Sequence, residues 1–125
     1  MVDCHFDKTV RLLASNDYSP VFADAHFRMS RAEFLVLASN TRGAKARLGI
    51  VVAKKQVRLA TERNRLKRVI RESFRHHQHE LPNLDIVVLV RNRATSRDNK
   101  NLSSILRSLW TKLEGKARAH AELGT

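Results

Sequence analysis

At 125 residues the chain suits one domain with one core; a single domain over residues 1–125 is expected, with its core near residues 10–113 and loose ends. Lys and Arg number 24 against 12 Asp and Glu, a net charge of +12, and 42% of residues are hydrophobic, which points to a folded nucleic-acid-binding domain and excludes general disorder. No segment reaches the roughly 18 apolar residues of a spanning helix, and the lone Cys4 excludes an intramolecular disulfide or a multi-cysteine zinc site; with no basic-then-apolar leader at the N-terminus, a reducing cytoplasm is the expected setting.

Residues 1 to 14 show no clear periodicity. From Ser15 a short helix is expected, with Ser15 or Asn16 as N-cap and Asp17 in its first turn. Tyr18 and Phe22, four apart, share one of its faces, and Pro20 requires it to be short or to start late. Glu33 to Ser39 and Arg47 to Ala53 are rich in aliphatic and β-branched residues. Because Asn40-Thr41-Arg42-Gly43 between them supplies turn chemistry, the pattern predicts an antiparallel hairpin of these two strands. Residues 25 to 30 offer an earlier strand.

A polar loop opening with Lys54 and Lys55 leads to Thr61, the expected N-cap of a helix that Pro82 stops by about Leu81. A strand follows from Leu84 to Arg91. Its run Ile86-Val87-Val88-Leu89-Val90 is apolar at every position, as in a strand covered on both faces or set at the sheet centre. After a polar segment from Thr95 to Asn101, Leu102, Ile105, Leu106, Leu109 and Leu113 recur at helical spacing, and Gly115 is expected to end that helix or begin its fraying. The elements together make an α+β sandwich of sheet and helices.

The helix between Thr61 and Arg75 separates cation from hydrocarbon. On a wheel of about 100° per residue, Leu66, Val69, Ile70, Ser73 and Phe74 fall on one side, and Asn64, Lys67, Arg68, Arg71 and Arg75 on the other. Arg68, Arg71 and Arg75 follow one another at spacings of three and four, which sets three guanidinium groups within reach of successive phosphates. A cationic helix face is often simply solvated. Here, with Glu72 as the one acid at hand, the cations repel one another and a polyanion relieves that repulsion.

Two readings stay open for several residues. Asn64 either joins the cationic surface or only satisfies backbone donors at the helix start. Tyr18 and Phe22 are either core residues or an exposed platform for base stacking. Phe74 and Trp110 read as core. His76, His77 and His79 occupy a helix end where they do not converge as metal ligands do. No carboxylate cluster suited to magnesium and no nucleophile with its base is visible, so no catalytic residue is expected in the protein itself.

The segment from Lys54-Lys55 through Arg63-Asn64-Arg65-Leu66-Lys67-Arg68-Val69-Ile70-Arg71-Glu72-Ser73-Phe74-Arg75 resembles the signature of the bacterial ribonuclease P protein subunit. The likeness extends to Arg47-Leu48-Gly49-Ile50-Val51-Val52-Ala53 before it, the strand after it and the helix carrying Leu109-Trp110, roughly residues 10 to 113. The resemblance implies the order α-β-β-β-α-β-α with a left-handed crossover around the basic helix, against the usual hand of such units. It implies an accessory subunit of a ribonucleoprotein endoribonuclease, in which a catalytic RNA holding most of the magnesium removes the 5′ leader of precursor tRNA. It also implies that Lys54, Lys55, Arg63, Asn64, Arg65, Lys67, Arg68 and Arg71 lie against the catalytic RNA, with Arg75 at the end of the same face. Tyr18 and Phe22 match the aromatic positions of a cleft that holds the single-stranded leader.

The expected partners are therefore the catalytic RNA and precursor tRNA, with a monomeric free protein and no membrane or DNA partner. A DNA-binding helix-turn-helix needs a helix just before residue 61, where the strand of residues 47 to 53 stands. The alternative reading is a basic RNA-binding protein of ribosomal or chaperone type without a processing role. Only the first enhances precursor cleavage by a bacterial catalytic RNA at low magnesium.

Overall fold

A computed structural model describes residues 26–40 and 46–123. The expected first helix, with Tyr18 and Phe22, lies outside the described residues. Phe27–Ser30 (β1) and Phe34–Asn40 (β2) form an antiparallel hairpin, with Phe27 opposite Ala38 and Ser30 opposite Leu35. Its turn is closed by the Arg31 amide, which donates to the Phe34 carbonyl at 2.8 Å. Arg47–Val51 (β3) and Leu84–Val90 (β4) complete a sheet of order β1-β2-β4-β3.

That order corrects one expectation. The strands around residues 33–39 and 47–53 do not pair with each other: β2 takes β1 as its hairpin partner, and β4 lies between β2 and β3, antiparallel to the first and parallel to the second. The all-apolar run of β4 gives the reason, since a central strand has both edges paired and both faces covered. Its alternate residues Leu84, Ile86, Val88 and Val90 join the main core, while Val87 on the other face packs with Leu37, Leu35, Val51 and Leu89.

Two helices, Ala60–His77 (α1) and Asn99–Leu123 (α2), share the main core with the first of these faces. Leu66, Val69, Ile70, Ser73 and Phe74 of α1 are buried, the five residues that helical spacing selects. Phe74 meets Trp110 of α2 edge-on, with ring centroids 5.8 Å apart at 74°, and the Trp110 indole Nε1 donates to Ser73 Oγ at 2.8 Å. From β1 onward the elements follow the expected order, with one addition: a 3-10 helix, Asn92–Ser96, which overlaps the expected polar entry segment only at Thr95 and Ser96. Asp98 Oδ1 then accepts from the Asn101 amide at 2.8 Å and caps the start of α2.

Two helix boundaries also differ from expectation. Leu59, not Thr61, is the N-cap of α1, in extended backbone and without a side-chain cap bond. The approach is held instead by Arg63, whose Nη1 donates to the carbonyls of Val57 at 3.0 Å and Arg58 at 2.8 Å. At the other end α2 does not stop at Gly115 but continues to Leu123, because buried Ala117 extends the apolar stripe of Leu102, Leu106, Leu109 and Leu113. Gly115 has no positive φ and a Cβ there meets nothing within 4 Å. Gly115→Ala is expected to stabilise the fold by about 0.5–1 kcal/mol, read as a higher urea midpoint at unchanged slope.

Candidate nucleic-acid interface

The basic surface starts in the loop after β3. The amides of Gln56 and Val57 both donate to the Ala53 carbonyl at 3.0 Å, and Val57 is buried. The Asn92 amide donates to Gln56 Oε1 at 2.9 Å, while its Nδ2 donates to the Gln56 carbonyl at 3.0 Å. With its middle anchored to core and 3-10 helix, the loop carries Lys54, Lys55 and Arg58 exposed. Behind them a cleft of about 450 Å³ is lined by Lys55, Arg58, Leu59, Glu62, Asn92 and Thr95 among others. Leu59, 64% exposed, is the large hydrophobic residue left in solvent among the described residues.

Along α1 the polar residues of the sequence pattern differ in exposure and in their partners. Asn64, Arg68 and Arg71 are exposed and Lys67 is half-buried. Arg71 also has an interaction within the protein, and Arg63, Arg65 and Arg75 are hydrogen-bonded inside the fold. Arg63 turns back onto the loop as described. Arg65 donates from Nε to Glu62 Oε2 at 2.6 Å and from Nη1 to Asn99 Oδ1 at 2.6 Å. Arg75 Nη2 donates to Glu72 Oε1, which also lies 3.2 Å from His76 Nε2. A second acid of the helix, Glu62, pairs with Arg65 near its other end.

The hydrogen bond from Arg75 holds the Glu72 carboxyl below the usual carboxylate range; partial burial opposes this, and the charge of Arg75 and the contact with His76 add to it. Glu72 thus stays ionised and paired at neutral pH. His77 Nδ1 lies 3.3 Å from the Ser73 carbonyl, so neighbouring histidines address different groups. Among the described residues, no group of three His, Cys, Asp or Glu is placed to hold a metal ion, and no helix is long and apolar enough to cross a membrane.

Sequence reasoning missed Asn99, which the fold brings beside the Arg-Asn-Arg run. Contacts between Arg65 and Asn99 near the helix starts and between Ser73 and Trp110 further along show that α1 and α2 run side by side in the same direction. Between them a cavity of about 250 Å³ is lined by Thr61, Asn64, Arg65, Arg68, Val69 and Asn99. Other arginines hold the scaffold. Arg47 makes a two-pronged pair with Asp85 at 2.8 and 2.9 Å. Arg91 Nη1 reaches Ser30 Oγ at 3.0 Å and the Arg31 carbonyl at 2.9 Å, and Arg97 Nε reaches buried Glu33 at 3.1 Å.

Fold and surface define a class: a small basic α+β protein with one helix that is arginine-rich on its outer side and anchored in the core by its inner side. The chain belongs to the ribonuclease P protein family, whose model, Ribonuclease P, matches residues 6–114. It is 46% identical over 112 residues to the ribonuclease P protein component of Saccharophagus degradans, covering 90% of this chain and 83% of that one. To the component of Chromohalobacter salexigens it is 42% identical over 125 residues, covering 100% and 98%.

Among solved structures, the RNase P protein of Staphylococcus aureus superposes with a TM-score of 0.75 at 28% identity, covering 83% of this chain and 94% of that one. That of Thermotoga maritima gives 0.72 at 32% identity, covering 82% and 96%. Membership places the chain in tRNA processing as a protein component of an endoribonuclease.

Proposed function

We propose that the chain is the protein subunit of ribonuclease P, binding both the catalytic RNA and the 5′ leader of precursor tRNA. The observation that carries this reading is the exposed row Asn64, Arg68 and Arg71 on a helix whose opposite side is buried. Lys54 and Lys55 continue the row from an anchored loop, and a rigid support of this kind lets cations meet phosphates with little loss of freedom. On the other face of the sheet, Leu35, Leu37, Val51, Val87 and Leu89 form a small apolar cluster. Tyr18 and Phe22 are proposed to stack leader bases.

In this function the protein makes and breaks no bond. Magnesium is held by the catalytic RNA and the substrate, and the RNA performs the cleavage. The protein lowers the repulsion between two polyanions and grips the leader, so that substrate binds and magnesium is retained at lower concentration. The free chain acts as a cytoplasmic monomer with neither membrane nor DNA as partner.

Reconstitution with a bacterial ribonuclease P RNA tests the proposal. At magnesium concentrations where the RNA alone is slow, adding the chain is expected to raise cleavage of precursor tRNA, and to raise substrate affinity more for a precursor with a leader than for leaderless tRNA. Enhancement no greater than that from an arbitrary cationic protein of similar size and charge would leave only a general RNA-binding role.

A further inference from the structure

Arg65 is gripped by two side chains from two helices before any ligand arrives: Glu62 at Nε and Asn99 at Nη1, each at 2.6 Å. The grip removes much of the freedom that an arginine otherwise loses on binding. It also fixes Asn99. A carboxamide that accepts through Oδ1 leaves both Nδ2 hydrogens for a further acceptor.

The cavity beside this pair offers an acceptor one kind of environment. It is lined by Thr61, Asn64, Arg65, Arg68, Val69 and Asn99, residues that bring hydroxyl, carboxamide and guanidinium groups together with hydrocarbon to its border. No carboxylate lines it. Of the nearby acids, Glu62 is spent on Arg65 and Asp98 on the Asn101 amide. A pocket bordered by donor-bearing residues, two of them arginines, suits one tetrahedral oxyanion.

Resting on the reading that the outer side of α1 meets RNA, we infer that the seam between α1 and α2 is a single-phosphate subsite. Asn99 there has two duties: its Oδ1 positions Arg65, and its Nδ2 donates to a nonbridging oxygen of an RNA backbone phosphate. The helix after β4 thereby becomes part of the RNA interface.

The test is equilibrium binding of the full chain to a bacterial ribonuclease P RNA over a series of potassium chloride concentrations. Asn99→Asp keeps an oxygen for Arg65 to donate to, so its melting temperature is expected to match or exceed that of the unsubstituted chain. It sets a carboxylate against the phosphate, however, and is expected to weaken binding about tenfold and lower the salt slope by about one. Asn99→Ala releases Arg65 and is expected to weaken binding about fivefold. Asn83→Asp, an exposed change of the same charge beyond the other end of α1, is expected to shift affinity less than about twofold.

An Asn99→Asp chain that binds like Asn83→Asp would overturn the subsite while leaving the interface on α1 standing. An unsubstituted chain that binds no better than an arbitrary cationic protein would sink the interface itself.

Discussion

Reversing two charges on the outer side of α1, as Arg68→Glu with Arg71→Glu, is expected to weaken binding to ribonuclease P RNA by about a hundredfold at physiological salt. Both residues are exposed, whereas Val69 and Ile70 between them are buried. The substitutions therefore act on the surface and leave the core as it was. Two phosphate contacts are lost, so the slope of log affinity against log salt should fall by about two, and each new carboxylate adds repulsion of its own. Stability should change by no more than about 1 kcal/mol, the cost of surface changes together with the interaction that Arg71 makes within the protein. Binding titrations over a salt series, with thermal melting as the control, check both halves. A chain that folds normally and keeps the full salt slope would remove Arg68 and Arg71 from the interface.

The two sides of α1 were legible in the sequence because a helical period depends only on neighbours within a few residues. All five residues assigned inward by spacing are buried. Sheet order was not legible in that way. Turn residues between β2 and β3 favoured a local hairpin, but the all-apolar β4 required two neighbours, and its insertion between them is a contact across the chain. Gly115 likewise signals a helix end by local propensity, at a cost of about 1 kcal/mol relative to alanine. Burial of Ala117 on the same stripe outweighs that signal.

In the candidate site, the residue types were legible and their engagement was not. Nothing near Arg65 in sequence points to Asn99, 34 residues away, or near Arg97 to Glu33, 64 residues away. These pairs show that a high count of arginines overstates the number of cations offered to RNA. Arg63, Arg65 and Arg75 are hydrogen-bonded inside the fold and Arg71 has an interaction there too, so exposure and not charge count defines the outward surface. Pairing carries a benefit for binding, since an arginine already held in place keeps donors for a phosphate without having to be ordered by it.

The seam that supports this surface depends on Trp110, and Trp110→Ala is expected to destabilise the fold by about 3–5 kcal/mol. Trp110 is only 1% exposed and is the largest of the fully buried side chains. Its ring meets Phe74 edge-on, and its Nε1 bond to Ser73 joins α2 to the inner side of the helix that carries the basic row. Truncation leaves a cavity and a buried serine hydroxyl without its donor, two costs that add. Against a total stability of about 5–15 kcal/mol for a domain of this kind, the loss removes a large fraction. Trp110→Phe keeps most of the packing and loses only the hydrogen bond and part of the ring, so about 1–2 kcal/mol is expected. Urea titration should show lower midpoints at unchanged slope for both variants. RNA binding by the fraction that remains folded should retain the full salt dependence, in contrast to the double reversal on α1. A Trp110→Ala chain less than about 1 kcal/mol weaker would mean that α1 and α2 are not held together through this contact, and the support proposed for the basic row would lie elsewhere.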